Sequence, residues 1–424
     1  MNLTQAYIKK LFSAYYRAHI REFPDTASLP QREFAFLRWD HPGMVRHLGY
    51  PSKDFLLQYL ISHGPRHSYH SATYYERPSA EKMEDKGYLG CDFVTDIDAD
   101  HIPTACRSDH NYTICKACGN KEKGEKPEKC SKCDGTKFTK ILWLCDECLN
   151  VSKQQAFNLV ENFLVREFAI PLEAIQLNFS GHRGYHIHLD GDAWLHLDQD
   201  ARREIADYVT GEGFSFKLWN FKKTQNVMQG FTLDQPGWPS KITREFYRVL
   251  KSGENNIWHY FKNPIYGRAL NKPVIEKILN YRLKLITAIE KKSRIWDIPT
   301  LHDSSWHRIF YILRDHIKAD IDVVVSIDLH RLIRLNGSLH GKAGFKVMSV
   351  PYETLKDYDP LVDGLAFPDN SENTITIQIT APLAPKIRIG DSEYGPYILG
   401  EKITLPLNAG LFLLCKDVAL LVRN

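Results

Sequence analysis

Residues 88–98 read YLGCDFVTDID, and residues 175–189 read IQLNFSGHRGYHIHL. The first is an apolar run ending in two carboxylates one residue apart, which predicts a strand. The second is a pair of apolar runs around Ser180-Gly181-His182-Arg183-Gly184, which predicts strand, turn, strand. Alternate side chains of a strand share a face, so Asp96 and Asp98 project together with Cα atoms about 7 Å apart. Two carboxylates that close repel each other unless cations neutralise them. Mg²⁺ and Mn²⁺ prefer oxygen ligands, and phosphoryl transfer commonly uses two such ions about 4 Å apart. Alone, the pattern is more often a solvated acidic turn. Asp100 continues the alternation but is placed in the loop beyond.

The turn supplies complementary chemistry. Gly181 and Gly184 allow tight turning and close approach of an anion to backbone N–H groups. Arg183 offers a planar fork for phosphate oxygens and His186 a donor, whereas His188 reads as a core residue. Downstream, IDVVVSIDLHRLIRLNGSLHGK carries Asp322 and Asp328, either of which suits a third carboxylate ligand, and a second basic set of Arg331, Arg334, His340 and Lys342. A single basic cluster is usually a solvated face. Two of them, each beside carboxylates, suit a site for a metal-bound nucleoside triphosphate.

The remaining chain supports an α/β (α+β) class with insertions. The 424 residues are 43% hydrophobic and 25% charged with a formal net charge of +4, too small to argue for nucleic acid by itself. No run approaches the ~20 apolar residues of a membrane span, and MNLTQAYIKKLF lacks a signal-peptide apolar region, so an intracellular, soluble protein is expected. Helical spacing marks Ile8, Leu11 and Tyr15, then Phe55, Leu56, Tyr59 and Leu60 after a Ser52 cap. A further stripe comprises Phe157, Val160, Leu164 and Phe168. Helices are also expected over much of 200–220 and over 273–292, with Pro273 in the first turn. Short strands are expected from about 320 onward. Residues 221–272 have no clear pattern; their aromatics, with Trp219, Phe221, Phe231 and Trp238 in view, are read as core. The expected arrangement is a catalytic core of residues 1–100, 150–200 and 310–424 with a mixed sheet flanked by helices, a zinc-binding insertion at 101–150 and a mainly helical subdomain at 200–310.

Seven of nine cysteines lie between Cys106 and Cys148. That clustering reads as metal ligation rather than as a disulfide framework. Cys115-x2-Cys118 and Cys130-x2-Cys133, eleven residues apart, make a zinc-ribbon signature. Cys145 and Cys148 add a pair that Cys106 and His110 complete. Two structural Zn²⁺ sites are expected, with a single site built on Cys145 and Cys148 as the alternative. Cys91 and Cys415 read as small buried apolar residues.

Together these segments resemble the small, catalytic subunit of archaeal and eukaryotic DNA primase. The matching stretches are Arg32-Glu33-Phe34-Ala35-Phe36, Tyr75-Glu76-Arg77-Pro78, FVTDIDAD, SGHRGYH and DVVVSIDLHRLIRLNGSLHGKAG, in order from about residue 30 to 350, and VPYETLKDYDPLVDG is similar too. The resemblance implies that Asp96, Asp98 and Asp322, rather than Asp328, hold two catalytic Mg²⁺ or Mn²⁺ ions. It implies that Ser180, Arg183 and His186 contact the incoming nucleotide and that His340, with Lys342 and Arg334 nearby, reaches its triphosphate. Glu33 and Arg77 match motifs near the active site. Thr95 departs mildly from a usual bulky apolar residue, and the cysteine insertion is longer than a single zinc site needs.

The implied activity is template-dependent synthesis of RNA primers de novo on single-stranded DNA from nucleoside triphosphates, for replication. The implied partner is a large, iron–sulfur-containing subunit. One rival reading is a repair or plasmid primase-polymerase that prefers deoxynucleotides. Another is a non-catalytic zinc-ribbon subunit that binds nucleic acid.

Overall fold

The structure is a computed structural model that describes residues 1–104, 106–124, 126–212, 222–224, 227–267, 269–368 and 373–422. It divides into two compact units. One comprises Met1–Ala156, Ile170–Arg203 and Ile321–Asn424, the other Phe157–Ala169 and Glu204–Asp320.

The larger unit is built on two sheets. In the first, Arg32–Leu37 lies between Met44–Leu48 and His67–Tyr75, with Leu332–Arg334 on the far side of His67–Tyr75 and Tyr88–Cys91 pairing with its end. Five of the six residues of Arg32–Leu37 are buried, as a central strand covered on both faces requires. The second sheet runs Met348–Ser349, Ile175–Phe179, Gly184–Leu189, Phe93–Asp98. Every described strand pair is antiparallel, so the class is α+β and the mixed sheet expected above is corrected. Ile175–Phe179 and Gly184–Leu189 form a hairpin, and Phe93–Asp98 and Met348–Ser349 add to its edges in the opposite sense. Parallel pairing would need crossover connections that these strands do not make.

The run 88–98 is two strands, not one. At Asp92 the chain leaves the first sheet and enters the second. The Asp92 N–H donates to Ala72 O (2.9 Å), and its carboxylate accepts from Arg32 (2.7 Å) and from the Tyr74 hydroxyl (2.7 Å). Buried Arg202 donates to the carbonyls of Cys91 (2.6 Å) and Asp92 (2.8 Å), satisfying acceptors that neither sheet pairs. Periodicity carries no signal for such a crossing, because the apolar pattern continues through it.

The β-branched run Val323–Ile327 is a short helix, not a strand. Asp322 caps it, its Oδ1 accepting from the N–H groups of Val324 (3.0 Å) and Val325 (3.4 Å). That cap overrides the strand propensity of three consecutive valines. Tyr112–Cys115 pairs with Lys121–Lys123 on one side and Phe138–Ile141 on the other. Near the C-terminus, helix Leu407–Cys415 is buried all round, as its apolar composition demands, beside a sheet of Lys402–Pro406, Thr374–Ile379 and Ala419–Leu421.

The smaller unit is mainly helical, with helices Trp238–Lys251, Glu254–Lys262, Lys272–Asn280, Arg282–Glu290 and Asp303–Ile317. Its core is aromatic: Trp296 stacks on Phe310 (5.8 Å), and Phe231, Phe246 and Trp306 close around them. Phe231 and Trp238 are core residues; Trp219 and Phe221 lie outside the described residues. The expected 273–292 helix breaks at Tyr281, and Pro273 occupies its first turn. The stripe from Phe157 is re-phased, because Val160–Val165 is a π-helical turn that brings Phe163 into the core in place of Phe168. Ser52 precedes helix Lys53–His63 without a side-chain cap bond. No described helix is long and apolar enough to cross a membrane.

Gly184 is where the second sheet tolerates nothing larger. It lies opposite Asp98, and an added Cβ would stand 1.9 Å from Ile97 O. Gly184→Ala should therefore cost about 2 kcal/mol or more of stability, read as a lower thermal midpoint. An unchanged midpoint would mean the register is not as described.

Candidate active site

The carboxylate strand and the basic turn meet by register. In the Phe93–Asp98 and Gly184–Leu189 pair, Asp98 lies opposite Gly184 and Asp96 opposite His186. His186 Nε2 is 3.5 Å from Asp96 Oδ1, and Arg183 Nε is 3.8 Å from Asp98 Oδ1. The Arg183 guanidinium also pairs with Asp100, so Asp100 in its loop is a partner of the basic turn. The third carboxylate arrives through the backbone, the Asp322 N–H donating to Asp96 O (2.8 Å). Asp328 instead accepts from the His330 N–H (2.9 Å) and closes its own turn.

Three carboxylates, each partly exposed, lie close enough for Asp98 and Asp322 to act on Asp96. Burial pushes the Asp96 carboxyl up to about 7, Asp98 and Asp322 add repulsion, and Arg331 and Arg334 oppose it. A buried carboxyl that resists ionisation beside two further carboxylates suits a hard divalent ion. Among the described residues, His186 Nδ1 and Arg183 Nε have no hydrogen-bond partner although both are buried. Such groups are costly unless something outside the protein bonds to them.

The cradle opposite is formed by two turns. Ser180 closes the first, its N–H donating to Gly184 O (2.9 Å) and its hydroxyl accepting from Gly184 N–H (3.3 Å). Gly181, at φ +77°, brings this turn against the second: an added Cβ would lie 2.8 Å from that of His340. The His182 and His340 rings stack at 4.9 Å, and His67 meets His340 edge-on at 4.8 Å. His67 Nδ1 is 2.6 Å from the Arg334 guanidinium, which also lies over the Tyr69 ring. Burial holds His67, His182 and His340 well below their ordinary value, and lowers His186 to about 3. The histidines are therefore neutral at pH 7, and the positive charge is carried by arginine and lysine. This corrects the reading of His340 as part of a basic set.

Glu33 and Arg77 are tied into the first sheet and its flanking turn. Glu33 is buried with Lys86 (3.5 Å) and Arg46 (3.1 Å), and the Arg77 backbone donates to Lys86 O (2.9 Å). Both tie strands together. His188 is buried in the core, as are Cys91 and Cys415.

The cysteine segment forms two tetrads, Cys115/Cys118/Cys130/Cys133 and Cys106/His110/Cys145/Cys148, whose donor atoms all lie within 4.8 Å of one another. Zn–S bonds of 2.3 Å in a tetrahedron put sulfurs about 3.8 Å apart. Cys115 and Cys133 are 3.6 Å apart, Cys118 and Cys130 3.7 Å, and Cys145 and Cys148 3.8 Å. Both sets could hold zinc. Sequence reasoning missed the groups that orient them. Asn111 accepts from Trp143 N–H (2.9 Å) and lies 3.0 Å from His110 Nδ1, which leaves Nε2 facing Cys148 (3.2 Å). Glu122 accepts from Asn120 and from Ser131, bridging the two knuckles of the ribbon.

Comparison with known proteins shows the family to which the chain belongs. The family model for the DNA primase small subunit matches residues 133–352, 220 of the 424. The chain is 30% identical to the DNA primase small subunit PriS of Methanothrix thermoacetophila over 96% of this chain and 98% of that one. It is 29% identical to PriS of Archaeoglobus fulgidus, covering 98% of each, and 27% identical to PriS of Cenarchaeum symbiosum, covering 96% of each.

The strained carboxylate gives a stability test. A carboxyl raised from 3.8 to about 7 in the fold destabilises it increasingly as pH rises between those values, and by a constant amount above them. Asp96→Asn should stabilise the chelator-treated protein at pH 8 by on the order of 1–2 kcal/mol, read as a higher thermal midpoint, and by less at pH 5. An equal gain at both pH values, or a loss, would rule out crowding as the cause.

Proposed function

Because this chain belongs to the DNA primase small-subunit family, we propose that it is the catalytic subunit that synthesises short RNA primers de novo on single-stranded DNA. The observation that carries this reading is the register that sets Asp96 against His186 and Asp98 against Gly184, with Asp322 hydrogen-bonded beside them. Asp96, Asp98 and Asp322 would hold two Mg²⁺ or Mn²⁺ ions. Bound there, the ions would lower the barrier to attack of a 3′-hydroxyl on the nucleotide α-phosphate and neutralise the departing pyrophosphate. Arg183, Arg334 and Lys342 offset phosphate charge, while neutral His186 and His340 contribute hydrogen bonds without adding charge. Asp100 holds the Arg183 fork in place until phosphate oxygens compete for it. Ser180 acts through the turn it closes.

The primer-synthesis reading places the chain in DNA replication with a large primase subunit, single-stranded template and nucleoside triphosphates as partners. The two cysteine tetrads hold structural zinc in this reading, since each has four protein donors and leaves no ligand position open.

Two measurements test it. The Asp96→Asn/Asp98→Asn variant should lose primer synthesis on single-stranded DNA by on the order of a thousandfold or more while still binding DNA. Undiminished synthesis would remove the assignment. Products made from deoxynucleotides only, or only by extension of an added primer, would favour the repair-polymerase reading instead. Elemental analysis should find two zinc ions per chain, with Cys130→Ser and Cys148→Ser each losing one; a single zinc in the wild-type chain would refute the two-site pairing.

A further inference from the structure

Lys416 lies outside every motif considered above, immediately after the buried helix Leu407–Cys415. Its position is tightly fixed. Its N–H donates to Phe412 O (2.9 Å), and the Phe412 ring packs on Trp143 (5.4 Å) and Phe345 (5.8 Å). Its ammonium donates to Leu142 O (3.1 Å) and lies 2.7 Å from His182 Nε2, in the basic turn. An ammonium carries three N–H bonds, and two are thus engaged. Among the described residues no carboxylate forms an ion pair with it.

The ammonium faces a cavity of about 520 Å³ that Arg66, Lys140, His182, Arg183 and Lys342 also line. The one acid in the lining, Asp417, pairs with Arg66 (3.3 Å). Burial holds Lys416 well below its ordinary value, and repulsion from Arg183 and Lys342 adds to this, with Asp100 opposing in part. Lys342 is lowered in the same way, by burial and then by Arg183 and Arg334. So many cations gathered with so little counter-charge weaken the fold, and a polyanion would relieve the repulsion. Arg183 joins the two ends of this arrangement: it pairs with Asp98 and Asp100 on the carboxylate side and borders the same cavity as Lys342 and Lys416.

We propose that Lys416 binds the terminal phosphate of the incoming nucleotide, so that the end of the C-terminal helix sets the preference for triphosphates over shorter nucleotides. The inference rests on the nucleotidyl-transfer reading above. A cation at this end of the cavity meets the β- and γ-phosphates, where a triphosphate carries charge that a monophosphate lacks. His182, neutral and hydrogen-bonded to it, keeps the ammonium aimed into the cavity without adding to the repulsion.

The test is binding of ATP, ADP, AMP and inorganic tripolyphosphate, each with Mn²⁺, to the full chain and to Lys416→Met. Loss of one charge-assisted contact should weaken ATP and tripolyphosphate by about tenfold to a hundredfold and leave AMP unchanged. In primer synthesis KM for nucleotide should rise while kcat changes little, and exposed Lys402→Met should behave as wild type. Because the substitution removes repulsion, Lys416→Met should melt no lower than wild type in phosphate-free buffer. If it does melt lower, Lys416→Gln, which keeps a donor without the charge, replaces it in the same comparison. A variant that discriminates ATP from AMP as well as the wild type does would overturn this inference alone. A wild-type chain that holds ATP no better than AMP would overturn it together with the nucleotidyl-transfer reading.

Discussion

The pairing of Phe93–Asp98 with Gly184–Leu189 is the constraint on which the site depends. A slip of one residue would turn Asp96 and Asp98 toward the core and Ile97 toward the cleft. Two devices prevent it. Gly184 admits the backbone of Ile97 at a distance no side chain would allow. Asp92, clamped by Arg32 and Tyr74 and flanked by the Arg202 bonds, fixes where the carboxylate strand begins. The start of the strand and its far end are thus set independently, and both settings place the carboxylates opposite the basic turn.

Electrostatically the site is two opposed concentrations of charge, each unfavourable alone. Burial and mutual repulsion resist ionisation of Asp96, while Lys342 and Lys416 resist protonation among Arg183 and Arg334. Partial cancellation through Arg183, Asp98 and Asp100 makes the unliganded protein tolerable. The neutral histidines matter here. Were His67, His182 and His340 charged, the cradle would hold three more cations within stacking distance of one another. Burial keeps them as hydrogen-bonding walls, so the positive charge of the cradle rests on arginine and lysine alone.

Much of this was legible in the sequence, for identifiable reasons. Alternation around Asp96 and Asp98 and the glycines of the 180–184 turn are local signals, and the hairpin follows them. The spacing of the cysteines groups the two tetrads without reference to the fold. Other features leave no local trace. The crossing at Asp92 interrupts a run whose apolar pattern is continuous. Three valines read as strand until the cap by Asp322 is seen. The π turn at Val160–Val165 shifts a helical stripe that is otherwise regular. Neutral histidines cannot be read from residue type, because burial, reinforced by neighbouring arginines and lysines, decides their charge. Lys416 is an ordinary lysine in the sequence; only the packing of Phe412 against Trp143 and Phe345 brings it to His182.

The bond between Arg334 and His67 spans 267 residues, and that between Lys416 and His182 spans 234. Contacts of such sequence separation close late, because the entropy of long loops is lost before they return any energy. On the ribosome the carboxylate strand and the basic turn emerge well before Asp322, and Asp322 before Lys416. A partly synthesised chain can therefore pair Arg183 with Asp98 and Asp100 while Asp322, Arg334 and Lys416 are still to come. The order of synthesis thus leaves the carboxylate strand and the basic turn dependent on later-made residues for their full charge balance.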